Sequence, residues 1–207
     1  MIIAGVLISY LLGAIPTAYI IGKQWKGIDI REHGSGNVGA TNVFRVLGKN
    51  PGLIVLGLDI IKGLVAVTLV GDLLGLIAVW ERIILAVAAV SGHNWTIFLR
   101  FKGGKGIATS LGVIIGFTVK IASFRPVLLL TLLTWIFCFL FTGFVSFASI
   151  MAAIFLPIFM VVTKQPIELI FLGVIFCVFV VFRHRSNIHR LFTGQESRII
   201  FPFSKKK

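Results

Sequence analysis

A run of about twenty apolar residues narrows the choice of fold more than any other local feature, because coiled as a helix it matches the hydrocarbon thickness of a bilayer. Such runs follow one another along this sequence, at roughly 2–22, 52–71, 77–97, 104–119, 126–143, 146–163 and 166–182. Stretches such as "LLLTLLTWIFCFLF" and "ELIFLGVIFCVFVVF" carry no polar face, so the helices they predict meet lipid rather than water. With 57% hydrophobic and 13% charged residues, the chain has too little polar material to coat a soluble domain of this length. The expectation is an all-α integral membrane protein: one membrane-embedded domain over residues 1–207, with seven transmembrane helices and short interfacial helices. The fourth run is the weakest, since it opens in the polar "GGKGIATSLG" and also suits a buried half-helix. The fifth and sixth runs close up around Gly143, so residues 135–162 admit a second partition.

The first run has the length of a signal peptide, but no basic segment precedes it, and Gly5, Gly13 and Pro16 interrupt it. A retained first helix is expected. Cys138 and Cys177 lie inside apolar runs, where they act as small hydrophobes without metal-ligand or disulfide spacing. Charge supplies the orientation. With the N-terminus outside and the C-terminus cytoplasmic, fifteen Lys and Arg fall on the inner side and four on the outer, the asymmetry of cytoplasmic loops. The net charge of +13, including the terminal "FSKKK", then serves orientation and attraction to anionic membrane lipids. Nucleic acid is not an expected partner, because no soluble domain shapes a groove.

That topology puts three polar, glycine-rich segments on one membrane face. The first, "HGSGNVGATNVFRVLGKNPG", offers Gly34, Gly36 and Gly39 for a close turn, followed by a short interfacial helix over Val38 to Leu47. Thr41 and Arg45 stand four apart, and Asn42 and Arg45 three apart, so they share a face of that helix. Hydroxyls, amides and a guanidinium at a helix start suit phosphate; the structural alternative is a capped re-entrant turn. The second, "SGHNWTIFLRFKGGKGIATSLG", turns through Gly103, Gly104, Lys105 and Gly106 into a helix bearing Thr109 and Ser110. A lysine there opposes the helix dipole unless an anion bridges the two; Arg100, Lys102 and Lys105 also read as ordinary cytoplasmic charges. His93 reads as a cap, a packing residue or a chemical group. The third, "RHRSNIHRLFTGQES", brings His184 and Asn187 toward a common face beside a basic rim. His184 and His189 lack helical pair spacing and acidic neighbours, so no metal is expected. Glu196 reads either as an orienting carboxylate or as a solvated salt partner, and Asp59 and Lys62, three apart, as a buried structural pair.

Three anion-binding clusters poor in carboxylates fit a reaction whose substrates already carry negative charge. A channel needs a polar path through the later runs, and none is visible. Paired interrupted spans in two related halves, which mark transporters, are also not evident.

These three segments resemble the cytoplasmic motifs of the bacterial acyl-phosphate-dependent glycerol-3-phosphate acyltransferase family, in order and over essentially the whole chain. The resemblance implies transfer of an acyl group from acyl phosphate to the 1-hydroxyl of sn-glycerol 3-phosphate, giving lysophosphatidic acid and phosphate. It implies a multi-pass protein of a bacterial cell membrane with its active site on the cytoplasmic face. No cofactor is implied, and a transient link to the enzyme that makes the acyl phosphate is compatible with it. Carried over by motif, Ser35, Arg45, Lys105 and His184 are the expected catalytic residues. Among the expected substrate-binding residues, Asn37, Thr41, Gly103, Gly104, Gly106 and Asn187 come from the same motifs, and Gly34, Gly36, Gly39, Asn42 and Thr109 from the turns and helix positions described above. Thr96 departs from the family wording, in which a proline often follows His-Asn-x.

Overall fold

The computed structural model describes residues 1–199, and the basic "FSKKK" lies outside the described residues. All regular structure among them is helical. The chain divides into two units, Met1–Phe124 and Arg125–Lys207.

The first unit contains α1 (Ile2–Ala14), α2 (Thr17–Lys26), α3 (Ala40–Leu47), α4 (Lys49–Val65), α5 (Gly71–Leu73), α6 (Val79–Asn94) and α7 (Ile107–Lys120). α1 packs along α6, and α4 along α7. Small residues bring these backbones together, as is usual for helices that associate without a hydrophobic driving force. A Cβ at Gly13 would fall 2.0 Å from the Ala89 carbonyl oxygen, and one at Gly112 would fall 1.9 Å from that of Ile60.

Pro16 separates α1 from α2, because it has no N–H to continue the ladder. The freed carbonyls are satisfied from other helices: Thr96 donates its hydroxyl to Ala14 O at 2.5 Å, and Lys62 its ammonium to Ile15 O at 3.1 Å. Between α4 and α5, Ala66–Val70 widens into a π-helical turn. The Arg82 guanidinium donates to the Val67 carbonyl there at 2.5 Å and pairs with Asp72 at 2.7 Å. In hydrocarbon an unsatisfied backbone group costs several kcal/mol, so both helix irregularities carry a side-chain partner.

The second unit contains α8 (Arg125–Thr142), α9 (Val145–Val162), α10 (Ile167–Arg183) and α11 (Arg185–Phe192). α9 packs against both α8 and α10, and Trp135 donates its indole N–H to Ser149 at 3.1 Å. The turn at Gly143 makes α8 and α9 separate helices, so the first partition of residues 135–162 is the one adopted.

Every predicted apolar run is helical over most of its length, and the short interfacial helix appears as α3. Among the described residues five helical segments are long and apolar enough to cross a bilayer: Ile2–Lys26, Lys49–Leu73, Val79–Leu99, Ala122–Thr142 and Val145–Val162. α10 and α11, bent by 60°, make a sixth if counted as one span. α7 has 14 residues, about 21 Å of helix against about 30 Å of hydrocarbon, so the fourth run is a shorter apolar helix. Five to six apolar helices of this kind mark an integral membrane protein.

Candidate active site

The loop after α2 is built around one buried side chain. Asn42, on the first turn of α3, accepts the Ser35 backbone N–H at 2.8 Å and donates to the carbonyls of Ile30 at 3.2 Å and His33 at 3.0 Å. Gly34 makes this clasp possible. Its φ of +61° lies in the left-handed region, and a Cβ there would fall 2.3 Å from Asn42 Oδ1. Spacing put Asn42 beside Arg45; the structure turns Asn42 inward, where it holds the loop, and leaves Ser35, Thr41 and Arg45 exposed. Gly36, Asn37 and Gly39 are half-buried between them. Upstream, the Arg31 guanidinium donates to the Asp29 carboxylate, with Nη2 at 2.6 Å, which pulls the Asp29 carboxyl down to about 2. The pair fixes the Ile30–Glu32 turn and engages Arg31, leaving Arg45 as the first motif's solvent-facing guanidinium.

The second motif starts where α6 ends. Thr96 has φ −70°, within the range a proline imposes, so the departure from the family wording keeps the backbone shape. Arg100 and Phe101 take positive φ values of 53° and 60°, which redirects the chain into the glycine turn. The Gly103 N–H donates to Asn94 O at 3.2 Å, and the Gly104 N–H to His93 O at 3.0 Å. Those two amides are therefore occupied by the end of α6. A close approach explains the glycine at 104, since a Cβ would fall 2.2 Å from His93 Nε2 and 2.8 Å from the Val38 carbonyl. The same contact brings the first two motifs together.

Lys105 is half-buried beyond this turn. Gly106 precedes α7, whose ladder opens with Ser110 N–H to Gly106 O at 2.7 Å, so the N–H groups of its first turn point off the helix end. Around that end, the Asn94 amide and the Thr109 and Ser110 hydroxyls are buried without a hydrogen-bond partner. Asn94 lies against Gly106, 2.7 Å from where a Cβ would sit. Buried polar groups left unpaired in this way are uncommon and ask for a partner.

Beneath the turn lies a charged cluster from three helices. Asp59 Oδ1 accepts the Thr17 hydroxyl at 2.6 Å and the Lys62 ammonium at 2.9 Å, and His93 Nδ1 stands 3.6 Å away. Asp59, Lys62 and His93 are all buried. A small pocket with room for about one water is lined by Thr17, Val38, Lys62, His93, Thr96 and Gly104, among others. The Asp59–Lys62 pair matches its helical spacing. Its meeting with His93, thirty-four positions further on, has no local signal; the buried charge in α4 was the only hint.

In the second unit, His184 sits between α10 and α11 and is buried. Its Nδ1 lies 2.8 Å from the Val180 carbonyl; the carbonyl only accepts, so Nδ1 bears the proton and in the neutral ring Nε2 bears the lone pair. Glu196 binds Asn187 at 2.6 Å, Ser146 at 2.7 Å and Arg190 at 2.7 Å. Burial pushes the Glu196 carboxyl up, but these hydrogen bonds and the Arg190 charge outweigh it and hold the group below the usual glutamate range. Glu196 thus orients Asn187 and Arg190 rather than standing in solvent. Among the described residues no group of three His, Cys, Asp or Glu is placed to hold a metal.

A model of the glycerol-3-phosphate acyltransferase family matches residues 3–194. A glycerol-3-phosphate acyltransferase of Synechococcus sp. (strain JA-2-3B'a(2-13)) is 45% identical, with 94% of this chain and 92% of the relative aligned. One from Desulforamulus reducens is 46% identical over 96% and 94%. The crystal structure of PlsY (YgiH), an integral membrane glycerol 3-phosphate acyltransferase, in its glycerol 3-phosphate form, aligns with a TM-score of 0.86 at 40% identity, covering 96% of both chains. Its lysophosphatidic acid form aligns with a TM-score of 0.84 at 40% identity, covering 96% of this chain and 95% of that one.

Proposed function

From the premise that this chain belongs to the glycerol-3-phosphate acyltransferase family, as an integral membrane enzyme of phospholipid biosynthesis, we propose that its acyl donor is acyl phosphate. The acceptor is the 1-hydroxyl of sn-glycerol 3-phosphate, and the products are 1-acyl-sn-glycerol 3-phosphate and phosphate. The observation that carries the reading is the group of unpaired buried polar side chains, Asn94, Thr109 and Ser110, at the start of α7 beside Lys105. A phosphorylated substrate supplies the missing partner, and a helix N-terminus favours its charge.

An acyl phosphate is already activated, so the protein has to align an alcohol with a carbonyl and stabilise the charge that develops. The glycerol hydroxyl oxygen attacks the acyl carbon and the carbonyl becomes an oxyanion. The bond from carbon to the phosphate oxygen then breaks, and its electron pair leaves with phosphate. Arg45 and Lys105 hold phosphoryl groups, Ser35 and Asn37 lend donors, and Asn42 keeps the first loop in shape. Since the Gly103 and Gly104 amides are engaged by α6, the backbone donors for this charge come from the first turn of α7. The hydroxyl proton goes to the leaving phosphate or to Nε2 of His184, whose tautomer suits it as a base. Near-normal turnover without the imidazole favours the phosphate; a large loss restored by added imidazole favours His184.

The Lys and Arg distribution supports seven crossings with α7 as the short one, the N-terminus outside and the site on the cytoplasmic face of a bacterial cell membrane. There the acyl tail lies among apolar helices while the phosphate meets water, close to membrane lipids and within reach of a transient link to the acyl-phosphate-producing enzyme. The test is purified protein with acyl phosphate and sn-glycerol 3-phosphate. Lysophosphatidic acid must form with both substrates, fail when either is omitted, and fail when acyl-CoA replaces acyl phosphate. Product from acyl-CoA, or counterflow of intact substrate across vesicles without product, contradicts the proposal.

A further inference from the structure

We propose that His93, held by Asp59, is a positioning residue for the glycine turn that carries Lys105. The inference rests on the acyl-transfer reading. His93 meets the turn twice. Its carbonyl accepts the Gly104 N–H at 3.0 Å, and its ring edge lies so close beneath Gly104 that a Cβ there would fall 2.2 Å from Nε2. The carbonyl contact survives any substitution at position 93; the ring contact does not.

The ring in turn has a fixed orientation. Nδ1 faces Asp59 Oδ1 at 3.6 Å, and the carboxylate is itself pinned by Thr17 at 2.6 Å and Lys62 at 2.9 Å. Lys62 also grips Ile15 O at 3.1 Å, and Thr96 grips Ala14 O at 2.5 Å, so the break between α1 and α2 is part of the same framework. Asp59, Lys62 and His93 are 1%, 4% and 6% exposed, which excludes a role in surface charge. Neutralising the α1–α2 break requires only Lys62 and Thr96. The carboxylate–imidazole contact adds nothing to that task, yet it sets the height and tilt of the surface on which Gly104 rests. One residue further on stands Lys105. A shift of about 1 Å in such a supporting contact is enough to cost about a hundredfold at the reacting groups.

The test compares variants by titration of sn-glycerol 3-phosphate binding (Kd), by KM for each substrate and by thermal melting in detergent. His93→Ala is expected to raise Kd and KM for glycerol 3-phosphate by about tenfold or more, with KM for acyl phosphate changed less and melting retained. His93→Gln, which returns a polar atom near the Nε2 position, is expected to recover part of the loss; His93→Asn, which reaches only as far as Nδ1, is not. Because Asp59→Asn alone strands a buried lysine, the partner test is Asp59→Asn with Lys62→Met. This pair should weaken glycerol 3-phosphate binding with His93 present and add nothing in the His93→Ala background.

Unchanged Kd in folded His93→Ala protein overturns the proposal. So does recovery by His93→Asn rather than His93→Gln, or a loss that follows only the folded fraction. An additive effect of the Asp59 and Lys62 changes removes Asp59 from it. If the wild type binds glycerol 3-phosphate but forms no product from acyl phosphate, the donor assignment fails while the Kd comparison still decides the role of His93.

Discussion

The first unit contains two charged clusters that begin with the same task and end with different ones. Asp72, Arg82 and Lys120 gather at the π-helical turn, and Asp59, Lys62 and His93 gather at the break after α1. Each supplies donors to carbonyls that an irregular helix leaves open. In the first, the Asp72 side chain is 46% exposed and Arg82 alone reaches the backbone. In the second, Asp59 and Lys62 side chains are 1% and 5% exposed, and a histidine extends the cluster to the Gly103–Gly104 turn. A capping cluster needs one donor; a cluster that also supports a site needs to be closed, rigid and in contact with it.

Substitutions at matched positions break or sharpen this contrast. The largest effect is expected for Lys62→Met, which leaves Asp59 as an uncompensated buried charge. Removing one partner of such a pair costs about 3–5 kcal/mol, readable as a lowered melting midpoint in detergent. Arg82→Met should cost less, about 1–3 kcal/mol, because the Asp72 it releases stays hydrated and paired with Lys120 while the Val67 carbonyl loses its donor. Equal losses erase the distinction.

The glycines come next. Gly104→Ala drives a Cβ against the His93 ring and the Val38 carbonyl, and kcat/KM should fall about a hundredfold. Gly71→Ala meets only the Arg82 guanidinium, 2.6 Å from the new Cβ. That flexible group gives way, so turnover should stay within about twofold while melting falls by about 1 kcal/mol. A turnover loss at Gly71 matching that at Gly104 contradicts the division of tasks.

Acid distinguishes a third carboxylate from both. Glu196, in the second unit, is held below its ordinary range, so what it contributes is complete above that range and is lost as pH falls through its lowered folded value. Wild-type melting should drop as pH falls from the ordinary glutamate range through that lowered value, and Glu196→Gln should melt lower at neutral pH and respond less to acid. Because its partner Arg190 is partly exposed, the difference is about 1 kcal/mol after screening.

Much of this was legible in the sequence because the signals are local. Runs of apolar residues without a polar face become helices, and "GGKG" before an apolar run becomes a turn opening α7. Asp59 and Lys62 pair because they are three apart on one helix. What was not legible depends on separate helices meeting. Nothing in the string says that His93 rests against Asp59, or that the amides of Gly103 and Gly104 belong to the end of α6. Asn42 shows the limit of helical spacing, which groups it with Arg45 when its amide in fact closes the loop behind it. α7 is shorter than a full span, and its first turn carries the polar Thr109 and Ser110.

The central claim is that the turn supported by His93 holds Lys105 against the phosphoryl charge of glycerol 3-phosphate, on binding and through acyl transfer. Acyl transfer by Lys105→Gln in protein that inserts and melts like the wild type tests it most directly. A fall of about 10²–10³ in kcat/KM for glycerol 3-phosphate is the predicted result; acyl transfer at the wild-type efficiency contradicts it.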